Sequence, residues 1–303
     1  MDAPVIEVEN LRKTYGATTA VADVSLTVAR GEVLGVLGPN GAGKTTTVEC
    51  LAGLRAPDAG RVSVLGLDPQ RETAQLREAL GMQLQESELP GRMRVDEAMA
   101  LYASFYDSPA DADELLTDLG LADKRSTQFR RLSGGQKQRL SVALALVGNP
   151  QVAVLDELTT GLDPQARRDT WSVIERIRDR GVTIVLVTHF LEEAERLCDR
   201  VVVIDRGRVV AEGTPAALAG SGGQTLRFRT SVPLPDGVLR VVPGVDEVRS
   251  DGLAHVVRTR GDHAVDAVLA LTHAGVRPEQ LEISHGSLED AFVRLVTATE
   301  EDR

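Results

Sequence analysis

At 303 residues, with 42% apolar and 26% charged residues, the chain has the composition of a soluble globular protein with room for about two domains. Its net charge of −11 argues against a broad nucleic-acid-binding face, and no apolar run reaches the roughly 18–20 residues that span a bilayer. The start, Met1-Asp2-Ala3-Pro4, has no leader pattern, and Cys50 and Cys198 have no metal-ligand spacing. The expectation is a cytoplasmic chain with two buried, reduced thiols.

Val5 to Tyr15 alternates apolar and polar residues and predicts a strand turning at Gly16, with a second strand over Ala20 to Val28. Tyr15 is one of three tyrosines, and it has two readings: a strand aromatic packed on a neighbour, or a platform for a nucleobase. Val33-Leu34-Gly35-Val36-Leu37 is a short apolar run suited to a buried strand.

Gly38-Pro39-Asn40-Gly41-Ala42-Gly43-Lys44-Thr45-Thr46 follows and matches G-x-x-x-x-G-K-[ST] in full. From Thr46 to Leu54 nothing breaks a helix until Gly53. A loop between a strand and a helix N-terminus gathers backbone N–H groups and the positive end of a helix dipole, which favours polyphosphate. Lys44 is placed to reach the β- and γ-phosphates and the Thr45 hydroxyl to ligate Mg²⁺.

Gly60 to Leu67 reads as a strand and turn, and Arg77 to Gln85 as an apolar stretch ending in Gln83-Leu84-Gln85. Val95 to Tyr106 and Asp111 to Leu121 carry apolar residues at helical spacing. This helical block either fills the core or offers a surface to a partner. Leu132-Ser133-Gly134-Gly135-Gln136 then opens an amphipathic helix with Ser133 as N-cap, a second glycine-bearing helix start that could donate to phosphate.

Gln151 to Leu155 is an apolar strand ending in Asp156-Glu157. At the C-terminal edge of an open α/β sheet such carboxylates face the ligand crevice, and strand alternation points neighbours in different directions. Asp156 suits a Mg²⁺ shell and Glu157 suits polarising a water for attack on the γ-phosphate; solvated turn residues are the plainer reading. Thr159 to Pro164 is a turn into a helix over Gln165 to Arg180. Val182 to Val187 is a further strand ending at Thr188-His189, where the histidine is either a structural hydrogen-bonder or a crevice group. A helix from Leu191 to Leu197 and a strand from Val201 to Ile204 close the domain near Pro215.

In this order and spacing the motifs resemble those of ATP-binding-cassette ATPase subunits, over roughly Val5 to Leu218. The resemblance implies an α/β fold of the P-loop NTPase type, with a RecA-like core, an antiparallel β-subdomain and an inserted helical subdomain over about 86–148. It makes Gly38 to Thr46 the Walker A loop, Val152 to Glu157 the Walker B strand and Leu132 to Gln136 the family's signature turn. By the same resemblance Tyr15 and Val21 lie at the adenine, Gln85 is the Q-loop glutamine and a Mg²⁺ ligand, Asp163 belongs to the D-loop, and His189 is the switch histidine. Gln85 is taken over Gln83 because Gln85-Glu86 runs on into the helical insert. Leu158 departs from the pattern, which usually has proline there.

Such cassettes pair head to tail, so ATP and Mg²⁺ held by one copy would be completed by Ser133, Gly134, Gly135 and Gln136 of the second. Residues 219–224 read as a linker by composition, and 225–303 as a small α+β domain. Its arrangement resembles the C-terminal domain of daunorubicin-resistance-type cassettes from drug, antibiotic and lipid export systems. These implications add up to an ATPase subunit on the cytoplasmic face of the cell membrane, reaching the bilayer only through a separate multi-pass permease. An importer subunit, a soluble cassette ATPase acting on nucleic acid or ribosomes, and a scaffold with a dead site are the rival readings.

Overall fold

Three five-residue runs, Val33–Leu37, Val152–Asp156 and Thr183–Val187, are buried along their whole length, and most of Arg200–Asp205 is buried with them. Strands apolar on both faces have to be covered on both faces, which is the setting of a parallel sheet between helices. In a computed structural model describing residues 3–83, 89–220, 223–235, 237–261, 263–285, 288, 289, 291–293 and 295, these runs form the centre of one sheet.

In chain order the first part contains β1 (Ile6–Tyr15), β2 (Thr18–Val28), β3 (Val33–Leu37), α1 (Lys44–Leu51), β4 (Ala59–Val64), α2 (Thr73–Ala79), β5 (Leu80–Gln83), α3 (Val95–Ala103) and α4 (Ala112–Asp118). It continues with α5 (Gly134–Leu146), β6 (Val152–Asp156), α6 (Pro164–Asp179), β7 (Thr183–Val187), α7 (Leu191–Leu197), β8 (Arg200–Asp205) and β9 (Arg208–Gly213). The second part holds α8 (Pro215–Gly220), β10 (Gln224–Arg229), β11 (Val245–Asp251), β12 (Ala254–Thr259), α9 (Ala264–His273) and β13 (Glu279–His285). The chain divides into two compact units at Glu212/Gly213.

The sheet of the first unit runs β4-β1-β2-β9-β8-β3-β7-β6-β5. β1 pairs antiparallel with β2 and β4, whereas β8, β3, β7, β6 and β5 form a parallel ladder. All five parallel strands therefore end on the same edge, and that edge receives the loops after β3, β6 and β7. Between β5 and β6 lies the helical insert. Val95, Ala98 and Met99 of α3 and Leu115 and Leu116 of α4 are buried, while Phe105 is 66% exposed. The block fills core on one side and presents apolar side chains on the other.

The second unit is a four-stranded antiparallel sheet, β11-β12-β10-β13, with α9 buried through Ala264, Ala267 and Leu271 against Leu226, Phe228 and Val257. Among the described residues no helix is long and apolar enough to cross a membrane. Cys50 and Cys198 are both free and buried, and burial pushes the Cys50 thiol up to about 11 and that of Cys198 further.

Candidate nucleotide site

Gly43 caps α1 in the left-handed region, φ 103°, where a Cβ would overlap the carbonyl oxygen of Ala20 on β2. Only glycine fits so close a backbone approach at that φ. The turn after β8 seals the other side: Gly207 N–H donates to the Ala42 carbonyl at 2.8 Å, and Ala22 N–H donates to that of Gly207 at 2.8 Å. Val21, next to this junction in β2, is fully buried. The loop from Gly38 to Gly43 is thus wedged between β2, β3 and the β8–β9 turn before any ligand arrives.

Lys44 is buried at the first position of α1, and its Nζ donates to the carbonyls of Gly38 and Pro39 at 2.8 and 2.9 Å. Burial lowers its pKa, and the charges of Glu157 and Asp156 work the other way. Thr45 faces the end of β6, with its Oγ1 3.5 Å from Asp156 Oδ2. Asp156 is only 1% exposed, and its Oδ1 has no hydrogen-bond partner. Its backbone N–H donates to Gln83 Oε1 at 3.1 Å, so Gln83, passed over in favour of Gln85 for the nucleotide role, braces the strand end. Gln85 lies outside the described residues.

A buried carboxylate with an orphaned oxygen beside a threonine hydroxyl has the hard oxygen donors that Mg²⁺ prefers. Among the described residues no group of three or more His, Cys, Asp or Glu could hold a metal alone. The fit is to an ion whose remaining ligands come from water and phosphate.

Glu157 meets a different partner from Asp156, for a reason alternation does not supply. β6 ends at Asp156, and Glu157 adopts φ 49°, a conformation a side chain with Cβ adopts at a cost of about 1–3 kcal/mol. Its N–H donates to the Val187 carbonyl on β7 at 2.9 Å, and its carbonyl accepts from Thr160 N–H at 3.3 Å. The turn aims the carboxylate at His189, whose Nδ1 lies 3.4 Å from Glu157 Oε1. Leu158, at the position where the pattern has proline, is fully buried.

Ser133 caps α5 by a reciprocal box: its N–H donates to Gln136 Oε1 at 2.9 Å, and its Oγ accepts from Gln136 N–H at 3.3 Å. Added Cβ atoms at Gly134 and Gly135 would meet Leu162 and Ala166, not the phosphate loop. Asp163 caps α6 by accepting from Gln165 and Ala166 N–H at 2.9 Å each. The structure thus brings Lys44, Thr45, Asp156, Glu157 and His189 to one edge and sets the 133–136 turn against the start of α6. Tyr15 ends β1 and is 42% exposed, with Lys13 Nζ and the Arg55 guanidinium standing 5.7 and 5.8 Å from its ring centroid.

Burial first, and then the neighbouring charge of Glu157, raise the Asp156 pKa from 3.8 to about 6. The folded chain binds that proton more tightly than the unfolded chain. Stability from this group is therefore present at low pH and is lost as pH rises through about 6. Asp156→Asn keeps the shape without the charge. It is expected to raise the nucleotide-free melting temperature at about pH 7.5 yet lower Mg²⁺-dependent turnover by about a hundredfold or more. Melting curves across pH, with and without Mg-ATP, check both halves; a variant less stable than the parent at that pH would contradict the electrostatic account.

A family model described as ABC transporter matches residues 21–160. The chain is 37% identical over 300 residues to the daunorubicin resistance ATP-binding protein DrrA3 of Streptomyces coeruleorubidus, covering 96% of this chain and 95% of that one. It is 43% identical over 226 residues to the Nod factor export ATP-binding protein I of Paraburkholderia xenovorans, covering 73% and 74% of the two. The dimeric structure of MJ0796, a bacterial ABC transporter cassette, superposes with a TM-score of 0.61 at 27% identity, over 69% of this chain and 98% of that one.

Proposed function

The chain belongs to the ABC transporter ATP-binding family, whose cassettes bind and hydrolyse ATP, and from that premise we propose that it powers a membrane exporter. The observation that carries the reading is the convergence of Lys44, Thr45, Asp156, Glu157 and His189 on one edge of the parallel ladder. Export rather than import is supported by the relatives, whose names speak of drug resistance and Nod factor export.

In this reading Lys44 leaves the Gly38 and Pro39 carbonyls for the β- and γ-phosphates, and the glycine N–H groups line the loop around them. Thr45, Asp156 and Gln85 hold Mg²⁺, which supplies charge neutralisation of the phosphate oxygens. Glu157 takes the proton of the attacking water, and His189 stands beside that carboxylate and the γ-phosphate. Tyr15 offers its exposed ring to adenine, whereas Val21, fully buried in β2, supports the phosphate-loop junction and has no surface to give the base. One copy covers the nucleotide from one side only. We assign the other wall to Ser133, Gly134, Gly135, Gln136 and Asp163 of a second copy, so that ATP joins two protomers and hydrolysis loosens them. A separate multi-pass permease docks on the exposed side of the helical insert and holds the chain at the cytoplasmic face of the membrane.

Co-expression with a candidate multi-pass permease tests the proposal. The chain is expected in the membrane fraction, with Mg-ATP turnover there; a chain that stays wholly out of that fraction would refute the transport assignment while leaving the ATPase one standing.

A further inference from the structure

Glu193, in the first turn of α7, is fully buried, an expensive place for a carboxylate. The indole N–H of Trp171 on α6 donates to its Oε1 at 3.1 Å. The hydroxyls of Thr188 and Thr159 face it as well, though Oε2 closes no hydrogen bond of full geometry. Burial raises its pKa, and those three side chains together with the charge of Arg167 pull in the opposite direction.

The identity of these neighbours gives the cluster its meaning. Thr159 follows Glu157 by two residues, and Thr188 immediately precedes His189. Thr188 is itself held in the turn, because its Oγ1 accepts from Phe190 N–H at 3.0 Å. Arg167, also on α6, lies 4.2 Å over the ring of Phe190, whose centroid is 4.1 Å from that of His189. One carboxylate therefore faces a hydroxyl from each loop, while α6 holds that carboxylate through Trp171 and stacks Arg167 on the loop of His189.

We infer that Glu193 is a positioning residue, which holds the loop of Glu157 and the loop of His189 at a fixed separation across the edge of the sheet. The inference rests on the ATPase reading above. Glu157 sits at φ 49°, and its turn is closed by the 3.3 Å bond to Thr160, so a shift at Thr159 is passed to the carboxylate. A misplacement of about 1 Å can lower a rate by about a hundredfold. An apolar residue in the same volume would satisfy packing, but it would leave the Trp171 N–H without its acceptor and set apolar atoms against the two hydroxyls.

The test measures kcat, KM for Mg-ATP and melting temperature in the full chain. Trp171, the single tryptophan, reports its own surroundings by fluorescence. Glu193→Ala is expected to lower kcat by about ten- to a hundredfold with KM changed less than about twofold and to shift the Trp171 emission. Glu193→Gln keeps an acceptor for the indole and is expected to recover kcat to within about threefold of the parent. Trp171→Phe is expected to lower kcat by a smaller factor and to combine with Glu193→Ala less than additively, since both break one contact. An Ala variant with parental kcat, a Gln variant no better than Ala, or kcat and affinity falling in parallel with stability would each overturn the inference while parental turnover left the ATPase reading intact. A parent that binds Mg-ATP and turns none over would overturn both.

Discussion

Glu157→Gln is expected to lower ATP turnover by about 10²- to 10⁴-fold while leaving nucleotide affinity close to that of the parent. The carboxamide has the shape of the carboxylate, and it can occupy the same turn because φ 49° is no worse for Gln than for Glu. It can still meet Thr160 Oγ1 and the His189 ring, which lie 3.5 and 3.4 Å from the two carboxylate oxygens. What it lacks is the capacity to take a proton from water. Because ATP then stays intact, the proposed joint between two copies has no event to release it. Size measurement with Mg-ATP should show a dimer that persists in the variant. Retention of turnover to within about tenfold of the parent would remove Glu157 from the role of base.

Gly135→Asp carries the second large effect. The turn from Ser133 to Gln136 makes its neighbours in Leu162 and Ala166, so the variant should leave nucleotide binding by a single copy intact. A Cβ at Gly135 would come 3.1 Å from that of Ala166, a contact relieved by a displacement of a few tenths of an ångström, so the fold should survive. Across the proposed joint the new carboxylate would meet the γ-phosphate where an N–H donor is wanted. Loss of one such donor typically costs about 10²- to 10³-fold, and a like charge adds to that. Normal binding with turnover down by about a hundredfold or more is the expected pair of results, read by nucleotide titration and by steady-state hydrolysis. A variant with parental turnover would end the two-copy picture of the site.

Much of this arrangement is legible from short stretches of chain. The phosphate loop needs glycine where the backbone turns left-handed, lysine at the first helical position and threonine beside it, and all of these are neighbours in sequence. The Ser133–Gln136 box and the Asp163 cap likewise lie within one helical turn. Other features are invisible at that range. The stretch after Arg77 breaks into α2 and β5 because Leu80 turns extended to pair with Val152, a partner far along the chain. The interior strand β9 carries half-buried residues without a distinct period, so its place between β2 and β8 depends on the sheet. Glu193 reads as one more acidic residue in a helix's first turn, and only its depth beneath the two loops marks it out.

By itself the sequence determined the chemistry of each motif, because caps, left-handed glycines and apolar strands depend on interactions within a few residues. Tertiary structure alone decided which motifs meet. Thr45 and Asp156 are separated by 111 positions, and they face each other because β3 and β6 flank β7 in parallel register. The direction of Glu157 was decided in the same way, by a backbone bond to Val187 on the neighbouring strand. Strand order and register follow from burying the whole apolar set at once, a condition no local window of residues contains.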